Sequence, residues 1–598
     1  MPSGNALAAE RYAARHQRAG MRQKNPSGMR ILFLVHSFNS LSQRLYCDLT
    51  ARGHTVSVEF DVADSVAEEA VALFAPHLVI APFLKRAIPA SIWSRHVCLV
   101  VHPGIVGDRG PSALDWAIRE GESNWGVTVL QAEAEMDAGP VWASAEFALG
   151  RRKKSSIYRN EVTEAAATAV LQAIERFQAG DFVPRPPGRE ARGRLRPLMG
   201  QEERRIDWEA DDTATVLAKL DAADGFPGVA DRLFGEPCRL FDGAPEARLR
   251  GRPGALLARR ESAVCRATAD GAVWLGQARP ERPEACKLPL ALAFPQALEL
   301  PAAPLPGWWR ADHPTWQDIA YEEAGEPGRA VGFLAFEFYN GAMGTDQCRR
   351  LTAAFRWAAT RPTRVIVLQG GADFWSNGIH LNVIEAAESP ADESWANINA
   401  IDDLAEAILN CGSHLTIAAL QGNAGAGGCF LARAADLVWT RAGVMLNPHY
   451  KNMGNLYGSE FWTYLLPPQV GADGARAIMR HRLPMTAGEA VDLGFYDACL
   501  PGPAAAFRVD VARRALELAA APDFPGRLAA KAAKRARDEA EKPLSKYRHE
   551  ELNEMRRNFY GFDPSYHVAR YHFVSKSPPS WTPRHLAIHR DLGWVKPV

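Results

Sequence analysis

The chain has 598 residues, enough for three to five domains that each bury a core. Apolar residues make up 47% and charged residues 23%, which is typical of globular proteins, and no run of about 18 apolar residues predicts a membrane span. The 69 basic and 69 acidic side chains cancel, so composition gives no field for nucleic acid. Nine cysteines without C-x-x-C argue against disulfides and structural zinc and indicate a cytoplasmic protein.

The segment 1–28 is polar and rich in Ala and Arg, and it lacks the apolar region of a signal peptide. It predicts a disordered extension or a misassigned start codon. Met29 is taken as the functional beginning, because it opens the strand Met29-Arg-Ile-Leu-Phe-Leu-Val35.

From 29 to 183 the pattern alternates between strands and helices, which predicts a doubly wound α/β domain. Five strands are expected, at 30–36, 55–60, 78–81, 97–101 and 126–131. Ligands of such domains bind at the carboxyl ends of the strands.

Three of these strand ends carry polar residues. Asn39 and Gln43 follow the first strand, His102 follows the fourth, and Asp137 lies in the turn after the fifth. A His and an Asp at neighbouring strand ends can form a general acid/base pair. Each also suits a turn by itself, since His102 precedes Pro-Gly and Asp137 begins Asp-Ala-Gly-Pro.

The order of His102, a glycine-rich loop, Gly-Val-Thr-Val and Asp-Ala-Gly-Pro-Val resembles the folate-dependent formyltransferases. That resemblance implies transfer of the formyl group of 10-formyltetrahydrofolate by an Asn–His–Asp trio. His102 and Asp137 match two members, but Val100 stands where the family has Asn. We therefore hypothesise a thiol acceptor, because a thiol enters as thiolate whereas an attacking amine must lose a proton. Asn39 and Gln43 are candidate cofactor-binding residues.

The next segments resemble the rest of methionyl-tRNA formyltransferase. The basic run 151–154 and Arg159 suit either a solvated face or the phosphates of a nucleotide-like substrate. Within 184–280, Ile206-Asp-Trp208 and Gly225-Phe-Pro-Gly228 resemble elements of that family and imply a small OB-like β-barrel. The Pro-, Ala- and Leu-rich segment 281–316 predicts an interdomain linker.

A second domain type is expected at 317–520. Two apolar strands, 365–368 and 415–420, each lead into a glycine-containing turn, which leaves peptide N–H groups free for a ligand. The spacings typical of phosphate-binding loops are absent, so an oxyanion hole is the better interpretation.

The two turns together resemble the crotonase (enoyl-CoA hydratase/isomerase) superfamily, which binds CoA thioesters. By position, the oxyanion-hole donors are the N–H groups of Ile379 and Gly427, and Gly378 and Gly428 shape the cofactor-binding turns. Phe430 and His449 stand where hydratases carry glutamates, so ordinary hydration is not expected. His449 is kept as a candidate cofactor-binding residue.

Tyr450 and Glu460 are the candidate proton-transfer residues of this half. They are ten positions apart, so they meet only if the chain bends between them. The alternative is that both are structural polar groups. The segment 521–598 predicts helices at the C-terminus, and its histidines are too irregularly spaced to predict a metal site.

A formyltransferase half followed by a crotonase half resembles the HypX (HoxX) hydrogenase maturation factors. The resemblance implies that formyl passes from 10-formyltetrahydrofolate to CoA, and that formyl-CoA is then split into CO and CoA. The CO would become a ligand of a [NiFe]-hydrogenase iron centre, with other maturation proteins as partners. Two alternatives remain: an amine formyltransferase (tRNA or sugar-nucleotide) with a non-catalytic crotonase module, and a non-catalytic scaffold.

Overall fold

The computed structural model describes residues 28–577, 579–591 and 593–594. The predicted N-terminal extension therefore lies outside the described residues, apart from Gly28. The chain forms two compact units. One comprises residues 28–303 with the described part of 578–598, and the other comprises residues 304–577. Each is described by itself.

The first unit begins with a six-stranded sheet in the order β2-β1-β3-β4-β5-β6. Its strands are Arg30–Val35, Thr55–Phe60, Leu78–Ala81, Cys98–His102, Asn124–Gln131 and Val141–Ala148 (β1–β6). The first four are parallel, as predicted, whereas β5 is antiparallel to both β4 and β6. Strand β6 was not predicted from the sequence. A loop of nine residues before it is too short for a helical crossover, which is why this pair is antiparallel.

Helices cover this sheet. They are Ser40–Ala51, Asp64–Phe74, Ala90–Trp93, Ala113–Glu120, Lys154–Ile157 and Thr163–Ala179 (α1–α6), with a π-helical turn at Tyr158–Val162. Helix α1 shows why they form: Asn39 caps its first turn by accepting from the Ser42 N–H, and Leu41, Leu45 and Leu49 bury one face at helical spacing.

A second sheet of the first unit has the order β7-β8-β11-β10-β9, with β12 paired to β11. Its strands are Val229–Leu233, Glu236–Glu246, Leu256–Arg260, Ala263–Ala267, Ala272–Pro280 and Leu288–Pro289 (β7–β12). Three helices accompany it: Gln201–Arg204, Thr213–Ala223 and Leu290–Ala293 (α7–α9). Among the described residues the hydrogen-bonded path is open, so the predicted OB-like barrel is wrong in one respect: its sheet does not close.

The prediction that 281–316 is an interdomain linker is wrong for the first part of this segment. It contributes β12, α9 and the 3-10 turn Pro295–Glu299, and its Leu290, Phe294 and Ala297 side chains are buried. A segment rich in Pro, Ala and Leu resembles a linker by composition, but these apolar side chains complete the core beside β11.

The C-terminal residues return to the first unit and cover the edge strand β2. The backbone N–H groups of Val58 and Phe60 donate to Leu586 O (3.0 Å) and Thr582 Oγ1 (2.8 Å). Buried Glu59 accepts from His589 Nε2 (3.0 Å) and Arg590 Nε (2.6 Å). The prediction that helices continue through 598 is thus wrong beyond Ser575, since only a 3-10 turn is described there.

The second unit contains a six-stranded and a four-stranded sheet. The larger has the order β13-β14-β15-β17-β19-β22, with β13 antiparallel to β14 and the other pairs parallel, and the smaller has the order β16-β18-β20-β21. The strands are Ile319–Ala324, Val331–Phe336, Val365–Gly370, Phe374–Ser376, Leu415–Leu420, Asn423–Gly425, Leu437–Arg441, Met445–Asn447, Met485–Thr486 and Ala498–Leu500 (β13–β22).

Helices pack on both faces of the larger sheet. They are Thr345–Ala358, Leu381–Ala386, Pro390–Leu409, Gly427–Arg433, Trp462–Leu465, Pro467–Arg480, Ala487–Asp492, Ala504–Ala520, Phe524–Glu541, Leu544–Tyr560 and Ser565–Ser575 (α10–α20). Alternate residues of β15 separate the two cores: Ile366 and Leu368 pack with α10 and α12, and Val365 and Val367 pack with α17. No helix in the described part of the chain is long and apolar enough to cross a membrane.

Candidate active sites

His102, at the end of β4, lies between two carboxylates. Its Nε2 is 3.0 Å from Asp108 Oδ1, and its Nδ1 is 3.6 Å from Asp137 Oδ2. Asp137 also accepts from the Gly110 N–H at 3.2 Å. Strand β5 ends at Gln131, which pairs with Leu99 and not with His102. The loop after β5 therefore bends back along the sheet to bring Asp137 to His102. The structure thus joins the predicted His102 and Asp137.

The local backbone explains this arrangement. A Cβ on Gly104 would lie 2.4 Å from His102 Nε2 and 2.8 Å from Asp108 Oδ1, so only glycine fits this turn. Thr128 Oγ1 donates to the Gly104 carbonyl at 2.8 Å and fixes the turn against β5. Asp137 has a φ of 57°, a left-handed conformation that Asp tolerates better than most residues.

Asp108 is a site residue that sequence reasoning missed. It is fully buried, and its Oδ2 is 3.0 Å from Nε of the buried Arg196. The available signal was that Asp108 lies six residues after His102 in a glycine-rich loop. An Asp at such a position is equally typical of a turn. The pairing with Arg196, 88 residues downstream of Asp108, had no local signal.

The three predicted cofactor-binding residues of this half lie on neighbouring elements. Asn39 donates to the Tyr158 hydroxyl at 3.5 Å, and Gln43 donates to the Phe38 carbonyl at 3.0 Å. Arg159 follows Tyr158 in the π-helical turn. Burial raises the pKa of Tyr158 to about 12, so this phenol keeps its proton. Ligand binding by Asn39, Gln43 and Arg159 stays a prediction.

The basic run 151–154 mostly forms internal ion pairs. Arg152 pairs with Glu161, Lys153 with Asp242, and Lys154 with Asp115. These three cations connect parts of the first unit to one another. These ion pairs give the three side chains a structural role, and the two sequence-based interpretations of the run, a solvated face and a phosphate site, stay predictions.

The two glycine-containing turns of the second unit meet. A Cβ on Gly378, whose φ is 74°, would lie 3.4 Å from Gly427 N, and a Cβ on Gly428 would lie 2.1 Å from Ser376 O. Gly427 is the first residue of α13, so its N–H has no acceptor within the helix. The peptides around Ile379 are held by bonds from Met343 N to Gly378 O (2.9 Å) and from His380 N to Asn397 Oδ1 (2.9 Å).

Tyr450 and Glu460 are in direct contact, with the phenol oxygen 2.5 Å from Glu460 Oε2. Both side chains are buried. The chain between them is irregular, and Glu460 and Phe461 both have left-handed φ values (58° and 59°). A Cβ on Gly427 would lie 2.0 Å from Glu460 Oε1, so this carboxyl lies against the oxyanion turn.

The other hydratase positions differ as predicted. Phe430 stacks on Tyr450, with ring centroids 5.6 Å apart, and supplies no carboxylate. His449 is buried beside Tyr450, and its N–H donates to Asn447 O at 2.8 Å. Its binding role stays a prediction. The described residues contain no group of three or more His, Cys, Asp or Glu that could hold a metal ion.

Tyr450 and Glu460 differ in how strongly each holds its proton. Burial, and after it the charge of Asp402, raises the pKa of Glu460 to about 8. Burial, and after it the charge of Glu460, raises the pKa of Tyr450 well above its ordinary value. Near neutral pH, Glu460 can gain or lose a proton, whereas Tyr450 holds its proton and can donate it.

Comparisons with known proteins agree with this division. Three family models match: Formyl transferase over 59–174, Formyl transferase, C-terminal domain, over 198–291, and Enoyl-CoA hydratase/isomerase over 340–584. A methionyl-tRNA formyltransferase from Roseiflexus castenholzii is 30% identical over 187 residues, which are 30% of this chain and 58% of that protein.

Two relatives match nearly the whole chain. Hydrogenase maturation factor HoxX from Bradyrhizobium diazoefficiens is 54% identical over 564 residues, covering 94% of this chain and 97% of that protein. The crystal structure of HypX from Aquifex aeolicus in complex with tetrahydrofolic acid has a TM-score of 0.92 and 50% identity, covering 95% of this chain and 100% of that one. The predicted resemblance is confirmed: the chain belongs to the HypX/HoxX family of hydrogenase maturation factors, with a formyltransferase half and a crotonase-like half.

Proposed function

We propose that this enzyme makes CO in two steps. At the first site, the sulfur of CoA attacks the formyl carbon of 10-formyltetrahydrofolate, and the C–N10 bond breaks with protonation of N10. At the second site, formyl-CoA is split into CO and CoA. The CO then serves as a ligand for the iron of a [NiFe]-hydrogenase, and delivery to other maturation proteins is part of this proposal.

The surroundings of His102 support a thiol acceptor. Both ring nitrogens face carboxylates, Nε2 at 3.0 Å from Asp108 and Nδ1 at 3.6 Å from Asp137, so neither points to open space as an acceptor for the proton of an attacking amine. Such an imidazole suits stabilisation of charge on the formyl oxygen or protonation of the departing amine. Removal of a proton from an attacking amine suits it less. A thiolate nucleophile needs no such removal.

The contact between Tyr450 and Glu460 carries the proposal for the second site. Glu460 takes the formyl proton, the C–S bond breaks with its electron pair on sulfur, and Tyr450 protonates that sulfur. The proton on Glu460 then returns to Tyr450 across their 2.5 Å contact, which restores the pair. The N–H groups of Ile379 and Gly427 would polarise the carbonyl. Formyl-CoA has no α-carbon, so the enolate chemistry of hydratases is not available to it.

The test is CO release, trapped by reduced haemoglobin, from purified protein with 10-formyltetrahydrofolate and CoA. We expect CO from the parent protein and from the control Tyr457→Phe, which removes a half-buried phenol nearby. We expect none from Asp137→Asn or Tyr450→Phe, and formyl-CoA should accumulate only in Tyr450→Phe. Formylation of CoA without any CO would contradict the second step. Formylation of an amine with normal efficiency, without CoA, would favour the alternative amine formyltransferase.

A further inference from the structure

Three carboxyl groups cluster behind the proposed decarbonylation site. Glu460 is joined there by Asp402, from α12, and Glu551, from α19, and each is at most 1% exposed. Neither Asp402 nor Glu551 has a sequence pattern that marks it for function. The cluster is therefore a product of long-range packing between the two helices and the loop around Glu460.

Asp402 and Glu551 hold this loop through its polar hydrogens. Asp402 accepts from the Glu460 N–H (2.9 Å) and the Ser459 hydroxyl (2.7 Å). Glu551 accepts from the N–H groups of Phe461 (3.0 Å) and Thr463 (2.8 Å), and from the Thr463 hydroxyl (2.5 Å). These bonds fix the two consecutive left-handed residues that turn the Glu460 carboxyl toward Gly427.

Negative charge prevails around the cluster. The cation that faces it, Arg548, lies 4.0 Å from Asp402, and its guanidinium also pairs with Asp403 (2.7 Å) and Glu406 (2.8 Å). The remaining titratable groups facing Glu460 are uncharged or acidic. Among the described residues they are Tyr450, Cys348, Cys429, Asp402 and Glu551. A buried carboxylate next to other carboxylates binds a proton more tightly.

We propose that Asp402 is a positioning residue of the decarbonylation site, whose buried carboxylate holds the backbone at Glu460 and places negative charge near the Glu460 carboxyl. Burial is the main cause, and the charge of Asp402 the next, that raises the pKa of both Glu460 and Glu551 to about 8. Without Asp402, Glu460 would ionise at lower pH and accept the formyl proton less readily.

The hydrogen bonds around Tyr450 favour the protonated product of that step. The phenol oxygen lies 2.5 Å from Glu460 Oε2 and 3.1 Å from the Ser459 carbonyl. When Glu460 is protonated, its carboxyl donates to the phenol oxygen, and the phenol donates to Ser459 O. Both protons then have an acceptor, so the cluster stabilises the state that follows proton abstraction.

The inference rests on the proposed function, and its first test is the pH dependence of CO release from formyl-CoA. Asp402→Asn retains the shape and one acceptor oxygen. We expect the rising limb to move to lower pH by about one unit, as for loss of a nearby charge, and the plateau rate to fall. Asp403→Asn is the matched control, since Asp403 is the next residue, is half exposed and also pairs with Arg548. Equal profiles for the two variants would overturn the proposal.

A second readout does not depend on activity. Infrared titration of the protonated carboxyl band, identified by its loss in Glu460→Gln, reports the protonation of Glu460 directly. We expect Asp402→Asn to move this titration to lower pH and Arg548→Gln, which removes the cation, to move it to higher pH. If the parent protein makes no CO but these shifts occur, the proposed function fails and the electrostatic role of Asp402 stands. If CO is made but neither variant moves the titration, the Asp402 proposal alone fails.

Discussion

The two sites of this chain keep different parts of their families' chemistry. At the first, His102 and Asp137, which match the formyltransferase pattern, lie together with a further carboxylate, Asp108, and its partner Arg196. At the second, Phe430 and His449 stand at the positions of the hydratase glutamates, and the two glycine turns lie beside the pair Tyr450 and Glu460. Under the proposed function, formyl transfer would use the acid/base groups of the formyltransferases with a different acceptor. Loss of CO would use the crotonase carbonyl site with a different route for protons.

The largest expected effect is that of Tyr450→Phe on the second step. Because the proposed acid is removed, CO release from formyl-CoA should fall by about 10²–10⁴-fold, which is below the level that haemoglobin trapping detects. Formyl-CoA production by the first site should be unchanged. The measurement is the initial rate of each step separately, with Tyr457→Phe as the control. A variant that loses both steps equally would show a global defect and not a missing acid.

Gly427→Ala should impair the same step through geometry. The added methyl would overlap Glu460 Oε1, so the carboxyl must move and the oxyanion turn must distort. We expect CO release to fall by about 10²-fold, the effect of losing one oxyanion donor, with about 1–3 kcal/mol lost from stability. Gly412→Ala is the control, because a Cβ there meets no heavy atom within 4 Å. Normal turnover by Gly427→Ala would remove this turn from the account.

Asp108→Asn probes the second carboxylate that contacts His102 at the first site. It leaves the buried Arg196 with a weaker partner and His102 without the charge at Nε2. We expect formyl-CoA production to fall by about tenfold or more, comparable with the cost of a misplaced catalytic group. CO release from added formyl-CoA should be unchanged. Glu146→Gln, an exposed change in the same unit, should leave both steps intact.

Two buried carboxyl groups, Glu460 in the second unit and Glu59 in the first, should respond to pH in opposite ways. Glu460 must be ionised to act as base, so CO release should rise with pH up to about 8. Its raised pKa also means that its contribution to stability is present below pH ~4.5 and is lost as pH rises toward 8. Burial alone would raise the pKa of Glu59, but hydrogen bonds from His589, Thr582 and Arg590 lower it overall. The contribution of Glu59 to the stability of the folded state is therefore lost as pH falls. The free energy of unfolding of the parent protein, Glu460→Gln and Glu59→Gln, measured as a function of pH, tests both stability contributions.

The smallest effect on activity is expected from His589→Ala. It removes a donor to buried Glu59 and the partner of Ser57, which should cost the first unit about 1–3 kcal/mol. Formylation per folded molecule and CO release should be unchanged. Thermal unfolding with Arg584→Ala, an exposed position in the same segment, as control measures this. Equal stability of the two variants would show that the C-terminal segment does not support β2.

Local patterns predicted much of this architecture. Alternating apolar runs located the first five strands within a few residues, and motif spacing located His102, Asp137 and both glycine turns. The features that were missed depend on distant partners. The expected barrel remains open, the C-terminal residues cover β2, and the basic run pairs with Glu161, Asp242 and Asp115.

The same limit applies to the second site. Tyr450 and Glu460 were predicted as a pair only on condition that the chain bends. That bend requires Asp402 and Glu551 from helices α12 and α19 to bind the loop's N–H groups. No periodicity within 450–460 encodes this, because the information lies 48 residues before Tyr450 and 91 residues after Glu460.

The central claim is that two separate sites act in series through formyl-CoA. The most direct test is to give prepared formyl-CoA to Asp137→Asn, with Tyr450→Phe and the parent protein beside it. We expect CO from Asp137→Asn at the parental rate, although this variant makes none from 10-formyltetrahydrofolate and CoA. Tyr450→Phe should release no CO from either supply. Failure of Asp137→Asn to release CO from formyl-CoA, while the parent protein does, would contradict the assignment of the two steps to separate sites.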